Sequence, residues 1–205
     1  MNIAVFGASG RTGIWIVFQA LNQGHRVTAF ARTPSKITIK HKNLTIVQGD
    51  ILDPEKVKEA VCGQDAVLCA LGVDQKKPGT VLSEGTRVIL HAMEACHVRR
   101  IICMSSAGIL GNDAGFWFSQ VIKPLFLRHV FADKIRQAQI LQESTADWVI
   151  VRPVGLTDSP KTNSYKITPG IPTSHTVPRA DVADFMLRLV TDTRYDRTMP
   201  ALSSH

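Results

Sequence analysis

The sequence predicts an α/β fold in which helices cover both faces of a doubly wound parallel sheet. Three observations carry this prediction: six short apolar runs recur along the chain, helical patterns separate most of them, and a glycine-rich turn joins the first run to the first helix. Nearly continuous apolar runs are typical of strands that are buried on both faces. Strands that alternate with helices need right-handed crossovers, which build a layered sheet.

The elements follow in order along the chain. The predicted strands are Ile3–Phe6, Val27–Ala31, Leu44–Val47, Ala66–Leu71, Ile101–Met104 and Trp148–Val151. The predicted helices lie between them at about 11–23, 54–61, 82–97 and 129–144. Asp53 before Pro54 marks the start of the second helix, because Asp is a favoured N-cap and Pro suits the first turn. The third helix is expected to start near Ser83-Glu84, after a polar loop.

The last part of the chain has a different pattern. After Pro153, residues 154–178 are rich in Pro and Gly turns, with a strand candidate at Tyr165–Thr168 and a final helix at about 179–191. We interpret 154–178 as small substrate loops attached to the sheet. With 205 residues, the chain is expected to form a single domain over 1–205.

Composition excludes several classes of protein. Hydrophobic residues make up 44% and charged residues 20%, which is ordinary for a soluble domain. No run of eighteen apolar residues occurs and the first residues form a core strand, so we expect no membrane span, no leader and a cytoplasmic location. A monomer is the working expectation. The net charge of +7 is spread along the chain, which fits attraction of an anionic cofactor and indicates no nucleic-acid partner.

The four cysteines indicate no metal site. Cys62, Cys69, Cys96 and Cys103 lack the close pairing that zinc sites use. We therefore expect small buried core residues in a reducing compartment.

The glycine turn has the spacing of a phosphate-binding loop. In NIAVFGASGRTG, Gly7 permits a tight turn, Gly10 lets backbone N–H groups approach a pyrophosphate, and Gly13 lets the helix pack close to the strand. The helix N-terminus then faces the anion with free N–H groups. The turn thus predicts a Rossmann-type dinucleotide site, with a purely structural glycine turn as the alternative. The residues expected to hold the pyrophosphate are Ser9, Gly10, Arg11, Thr12 and Gly13.

The end of the second strand indicates which dinucleotide binds. NAD sites usually place an acidic residue there, which would repel a 2′-phosphate. Here the strand ends in Arg32, and Arg11 in the glycine turn can approach the same place. Two guanidiniums would clamp a phosphate, so the sequence predicts NADP. The alternative is a pair of solvated surface arginines.

Further cofactor contacts are expected beyond the other strand ends, where ligands bind in such sheets. Asp50 would accept from the adenine amino group while Ile51 packs on the ring, or Asp50 merely caps the helix-entry turn. The segment Ala70, Leu71, Gly72 would let the backbone pass close to the cofactor. Ser105 and Ser106 would face the nicotinamide.

These motifs together resemble a known family. GASGRTG, Arg32, Gly49-Asp50, Met104-Ser105-Ser106 and Val151-Arg152-Pro153 look like an atypical short-chain dehydrogenase/reductase. More narrowly, Ser83-Glu84-Gly85 and Asp184-Phe185-Met186-Leu187 resemble the biliverdin-IXβ reductase/flavin reductase group of the NAD(P)H-binding, NmrA-like family. The resemblance covers nearly the whole chain.

The resemblance also identifies a departure from the usual chemistry. Typical members use Ser, Tyr and Lys, with Tyr four residues before Lys. Lys134 matches that lysine, but Val130 stands where the tyrosine would be. Without a phenol to protonate an oxyanion, hydride transfer to a stacked planar acceptor is favoured. Biliverdin-IXβ enzymes have histidines at the places of Lys134 and Gly155, so a flavin is preferred to a bilin.

The predicted activity is therefore an NADPH-dependent reductase acting on FMN, riboflavin or a biliverdin-type tetrapyrrole. Ser105 and Lys134 are the catalytic candidates, with a capped strand end and a solvated lysine as their alternatives. The nicotinamide is expected near Pro153, Val154 and Gly155. The substrate contacts are expected to be Ser106, Phe116 and Trp117, of which the two aromatics would otherwise be core residues.

Two other classes compete with this prediction. A non-catalytic NADP-binding redox sensor of NmrA-like type would share the glycine turn and also lack the tyrosine. A sugar-nucleotide or isomerase-type enzyme is disfavoured by the short chain and by Val130.

Overall fold

The structure, a computed structural model, describes residues 1–72, 79–110, 128–170, 172 and 174–205. Phe116 and Trp117, predicted as substrate contacts, lie outside these residues.

An eight-stranded sheet confirms the predicted fold class. Its strands in chain order are β1 (Asn2–Phe6), β2 (Arg26–Ala31), β3 (Leu44–Gln48), β4 (Ala66–Cys69), β5 (Arg100–Met104), β6 (Asp147–Pro153), β8 (Tyr165–Thr168) and β10 (Ala201–Ser204). They are arranged as β3-β2-β1-β4-β5-β6-β10-β8. All neighbouring pairs are parallel except β10 with β8, so the carboxyl ends of the first six strands meet at one edge.

In the described part of the chain, five α-helices cover the sheet. They are α1 (Gly13–Asn22), α2 (Pro54–Val61), α3 (Val81–Ala95), α4 (Arg128–Glu143) and α5 (Arg179–Arg188). One hydrophobic core lies on the face that carries α1 and α5, with Ile16 and Phe185 among its members. The other lies under α2, α3 and α4, with Val57, Ile89 and Leu141. The two cores explain why the strand runs are apolar on both faces.

The starts of α2 and α3 differ in how they are capped. Asp53 accepts hydrogen bonds from the N–H groups of Glu55 and Lys56, as predicted. Helix α3 begins at Val81, two residues earlier than expected, and Thr80 provides no side-chain cap. Instead, the buried carboxylate of Asp133 on α4 accepts from the N–H groups of Leu82 and Ser83, at 2.9 and 3.3 Å. This contact fixes α4 against the start of α3.

The C-terminal region is more regular than the predicted substrate loops. The strand candidate Tyr165–Thr168 is confirmed and forms the sheet edge with β10, which the sequence analysis missed. Two further short strands, β7 (Gly155–Thr157) and β9 (Thr176–Pro178), pair in parallel as a separate small sheet. The final helix ends at Arg188 rather than near 191.

Two carboxylates on α5 hold the segment that precedes β8. Asp181 is buried and accepts from Thr162 and Asn163. Asp184 accepts from Lys161 and from the Tyr165 hydroxyl, at 2.6 and 2.8 Å. Residues 161–165 are thus fixed to α5 by partly buried, charge-assisted hydrogen bonds.

The cysteine prediction is half wrong. Cys69 and Cys103 are buried free thiols, as expected. Cys62 and Cys96 instead form a disulfide, with their Cα atoms 5.0 Å apart. Each residue follows the last turn of a helix, α2 or α3, and these helices pack side by side. The proximity arises from tertiary packing, which sequence spacing does not report.

No helix in the described part of the chain is long and apolar enough to cross a membrane.

Candidate active site

A cleft lies beyond the carboxyl ends of the parallel strands. Its volume is about 900 Å³, at the upper end of the range for small-molecule sites. At one end it is lined by Arg32, Lys36 and Asp50, and at the other by Ser105, Lys134 and His175. The cleft therefore extends across the switch point of the sheet, where dinucleotides bind in this architecture.

Almost every predicted contact that the structure describes lines this cleft. The lining residues that the sequence analysis named are Gly7, Ser9, Gly10, Arg11, Thr12, Arg32, Asp50, Ile51, Ala70, Leu71, Gly72, Ser105, Ser106, Lys134, Pro153, Val154 and Gly155. Gly13 is the exception, since it lies behind the loop.

The geometry of the glycine turn explains its three glycines. Gly7 has a φ of +76°, and a Cβ there would lie 2.5 Å from the carbonyl oxygen of Ala70. A Cβ on Gly13 would lie 2.0 Å from the carbonyl oxygen of Gly7. Gly10 donates its N–H to that same carbonyl at 2.9 Å. The turn is thus tightly packed between the end of β4 and the start of α1, and its residues Ser9, Gly10, Arg11 and Thr12 line the cleft directly before that helix.

The end of the cleft that follows β2 is positively charged. Arg32 follows β2 directly, and both Arg32 and Lys36 are exposed on the cleft wall. Arg11 also lines the cleft, but its Nη1 donates to Asp158 at 3.4 Å. The predicted clamp therefore includes one guanidinium that already has a carboxylate partner.

Asp50 and Ile51 have structural roles as well as a place in the cleft. One Asp50 oxygen accepts the N–H of Leu52 at 2.9 Å, as the helix-entry alternative expected. The side chain also lines the cleft, so the adenine contact stays a prediction. Ile51 is buried against Gly85, where an added Cβ would lie 2.7 Å from Ile51 Cγ1. The glycine of the Ser-Glu-Gly motif thus makes room for the Ile51 side chain.

Ser105 is the most distinctive polar group at the opposite end. Its Oγ is buried and has no hydrogen-bond partner among the described residues. Its backbone is fixed, since its N–H donates to the Val151 carbonyl at 2.8 Å and its carbonyl accepts from Lys134 Nζ at 3.2 Å. Buried hydroxyls are nearly always satisfied, so this one indicates a ligand that completes it.

Lys134 lies beside Ser105, one helical turn after Val130. Both residues line the cleft from α4, and Val130 is buried. Burial lowers the pKa of Lys134 to about 8. The amine therefore changes charge close to physiological pH, which is the property of a useful proton donor.

No phenol reaches the cleft. The chain has only two tyrosines, and both lie in described parts of the structure. Tyr165 donates to Asp184, and burial together with that hydrogen bond raises its pKa above the usual value. Tyr195 packs against Phe185 on the α5 face. The structure thus offers no spatial replacement for the tyrosine that Val130 displaces.

The remaining wall is formed by the segments after β5 and β6. Ser106 Oγ already donates to the Ala107 carbonyl at 3.0 Å. Its hydroxyl therefore needs a ligand as hydrogen-bond partner less than the Ser105 hydroxyl does. Gly155 donates its N–H to the His175 carbonyl at 2.9 Å, and a Cβ on Gly155 would lie 2.8 Å from that same oxygen. A larger residue at 155 would therefore push β9 away from the cleft.

One charged side chain that lines the cleft was missed as a site residue. This residue is Arg179, at the start of α5, and it forms an ion pair of 2.7 Å with Asp158, which follows β7 and lies beside the cleft lining. The only local signal is the start of a helix at Arg179, which does not reveal that the helix end faces the glycine turn. His175, just before β9, also lines the cleft.

In the described ranges no three His, Cys, Asp or Glu side chains are placed to hold a metal ion. The glycine cradle, the cationic end and the orphan Ser105 hydroxyl fit a dinucleotide instead.

Comparison with known proteins agrees with this geometry. The sequence pattern of a family described as NAD(P)H-binding matches residues 7–193. An uncharacterised chloroplast protein of Arabidopsis thaliana is 32% identical over 182 residues, which is 82% of this chain and 63% of that protein. The chain thus spans less than two thirds of this relative.

Solved structures share the fold. A short-chain dehydrogenase/reductase from Veillonella parvula, in complex with NADP, has a TM-score of 0.86 at 20% identity. The alignment covers 99% of this chain and 94% of the Veillonella parvula chain. A candidate NADH-flavin reductase from Streptococcus pneumoniae has a TM-score of 0.82 at 21% identity, with 100% of both chains covered. At these identities, the likeness establishes the fold.

Proposed function

This chain belongs to the NAD(P)H-binding family, and on that premise we propose that it is an NADPH-dependent reductase of planar acceptors. The preferred acceptor class is a flavin, FMN or riboflavin, with a biliverdin-type tetrapyrrole second. The observation that carries the proposal is a dinucleotide cleft that no phenol lines, in which Val130 and Lys134 stand together.

The preference for NADPH over NADH rests on charge. Arg32 and Lys36 line the cleft where an acidic residue would select NAD, and Arg11 is close by in the glycine turn. A 2′-phosphate carries two charges that guanidinium groups bind with paired hydrogen bonds. The Veillonella parvula fold neighbour binds NADP, which is consistent with this preference.

When bound, NADPH supplies the hydride. Val130 and the neighbouring buried Phe131 present an apolar wall on which a planar ring can rest. Such a reaction needs little acid–base machinery, since it depends mostly on placing donor and acceptor in contact. The fold neighbour from Streptococcus pneumoniae, a candidate NADH-flavin reductase, is consistent with this acceptor class.

Ser105 and Lys134 have separate roles in this proposal. The Ser105 hydroxyl, which lacks a protein partner in the described structure, would hydrogen-bond the nicotinamide carboxamide or the acceptor. The acceptor gains negative charge as the hydride arrives, and the Lys134 ammonium would stabilise that charge or donate its proton. Its pKa of about 8 leaves most molecules charged at neutral pH.

The direct test is a panel of acceptors. NADPH oxidation is followed with FMN, riboflavin and biliverdin, with NADH in parallel and with Ser105→Ala as the site variant. The proposal expects flavin-dependent oxidation of NADPH that exceeds oxidation of NADH and that falls in the Ser105→Ala protein. Tight NADPH binding with no oxidation in the presence of any acceptor would favour the redox sensor instead.

A further inference from the structure

Two guanidiniums that line the cleft converge on one carboxylate beside it. Arg11 projects from the glycine turn and reaches Asp158 with Nη1 at 3.4 Å. Arg179 projects from the start of α5 and reaches the other oxygen of Asp158 with Nη1 at 2.7 Å. Both arginines line the dinucleotide cleft. The carboxylate therefore bridges the glycine turn and the C-terminal wall.

The burial of the three side chains is unequal. The Arg179 side chain is only 8% exposed, whereas those of Asp158 and Arg11 are 64% and 73% exposed. A guanidinium that is nearly buried at the wall of an anion-binding cleft is costly to desolvate unless an anion pairs with it. Asp158 supplies that anion from outside, through a contact that solvent screens strongly.

We propose that a cofactor phosphate binds to the two cleft-lining guanidiniums, Arg11 and Arg179, and replaces the Asp158 carboxylate as their partner. Arg179 is then a phosphate-binding residue, and Asp158 lowers cofactor affinity by competing for both guanidiniums. This inference rests on the cofactor part of the proposed function. It does not depend on the identity of the acceptor.

The exchange is favourable on simple grounds. The Arg11–Asp158 ion pair is exposed and contributes little to stability, and the incoming phosphate pairs with Arg179 again, so that no nearly buried charge is left without a partner. A phosphate group presents more acceptor oxygens and more charge than a carboxylate to two forked donors. The N-terminus of α1, which carries Arg11 on the preceding loop, adds a positive dipole end that favours the same anion.

Two phosphates of the dinucleotide have this chemistry, the pyrophosphate and the 2′-phosphate. Calorimetric titration with oxidised NADP⁺ and with NAD⁺ separates them, and needs no turnover. The proteins compared are the wild type, Asp158→Asn, Asp158→Ala and the control Asp147→Asn. Asp147 is a suitable control because it forms an exposed ion pair with Arg99 at the amino end of β6, outside the cleft.

The proposal expects both Asp158 variants to bind NADP⁺ more tightly, by about two- to fivefold, the range that an exposed ion pair supports. Asp147→Asn should leave the affinity unchanged. A gain shared by NAD⁺ and NADP⁺ assigns the pyrophosphate, and a gain confined to NADP⁺ assigns the 2′-phosphate. In an Arg11→Gln background the gain should shrink, because one of the competing guanidiniums is gone.

Unchanged or weaker NADP⁺ binding in both Asp158 variants would overturn the inference and show that Asp158 positions the arginines instead. Thermal unfolding of the ligand-free variants confirms that they are folded. Failure of the wild-type chain to bind either nucleotide would overturn the proposed function itself, and the inference with it.

Discussion

Lys134 makes the sharpest quantitative prediction, because its charge changes within an accessible pH range. Burial lowers its pKa to about 8. The charged fraction is then about nine tenths at pH 7, half at pH 8 and one tenth at pH 9. A lowered lysine pKa means that the ammonium is present below pH 8 and lost above it. Hydride transfer that depends on this charge should therefore fall as pH rises.

The assay is kcat/KM for flavin, with NADPH saturating, from pH 6 to pH 9.5. The wild type should be flat below pH 7 and fall about tenfold per unit well above pH 8. Lys134→Arg should flatten the decline, because a guanidinium stays charged over this range. Lys134→Met should lose about 10²-fold at pH 7, the lower end for a proton donor or charge stabiliser.

Lys58 on α2 provides the matched control, since it is exposed and lies outside the cleft. Lys58→Met should reproduce the wild-type profile in rate and in midpoint. A wild-type profile that stays flat to pH 9.5, or a Lys134→Met profile with an undiminished rate, would refute the role given to this amine.

Three further perturbations test other parts of the structure. Arg32→Asp should weaken NADPH binding about ten- to hundredfold and favour NADH, because charge-assisted hydrogen bonds are lost and the new carboxylate repels the 2′-phosphate. Arg26→Asp, at the other end of β2, should leave the cofactor preference unchanged, and an unchanged preference in Arg32→Asp would contradict the assignment. Gly13→Ala should lower the free energy of unfolding in urea by about 1–3 kcal/mol and weaken nucleotide binding, because its methyl group would meet the Gly7 carbonyl. The control is Gly79→Ala, whose methyl group would enter open space, and equal stabilities of the two variants would show that the turn can relax. Cys62→Ser, or a reductant, should lower the free energy of unfolding by at most about 4 kcal/mol, because the disulfide closes a loop of 34 residues. A free energy of unfolding that does not change with reductant would show that the bond does not form.

The first half of the fold was predictable because its signals are local. The strand–turn–helix at residues 2–22 follows from an apolar run, three spaced glycines and an amphipathic segment, and each glycine proves to be sterically required or hydrogen-bonded. The second helix begins at Pro54 because Asp53 caps it within three residues. These features depend on neighbours in sequence, which the residues themselves report.

The rest depends on contacts between distant residues. Strand β10 (Ala201–Ser204) has little strand pattern of its own and exists because it pairs with β6 and β8. The Cys62–Cys96 bond depends on how α2 packs against α3. Helix α3 is capped by Asp133, fifty residues later. Short strands, disulfides and caps of this kind leave no periodic trace in a sequence.

The candidate site also has features that the sequence predicts and features that only the folded structure shows. The cleft-lining positions follow from the strand ends, so most were predictable from the order of the apolar runs. The lowered pKa of Lys134 and the unpartnered hydroxyl of Ser105 arise from burial in the folded chain. The convergence of Arg11 and Arg179 on Asp158 needs three segments to meet, and only the structure brings them together.

Hydride transfer from NADPH to a flavin is the central claim, and anaerobic stopped-flow mixing of the protein with NADPH and FMN tests it most directly. The proposal predicts that the nicotinamide and flavin absorbances decline together, with one NADPH consumed per FMN reduced, at a rate far above the protein-free mixture. Loss of neither absorbance, with NADPH nevertheless bound, would contradict it.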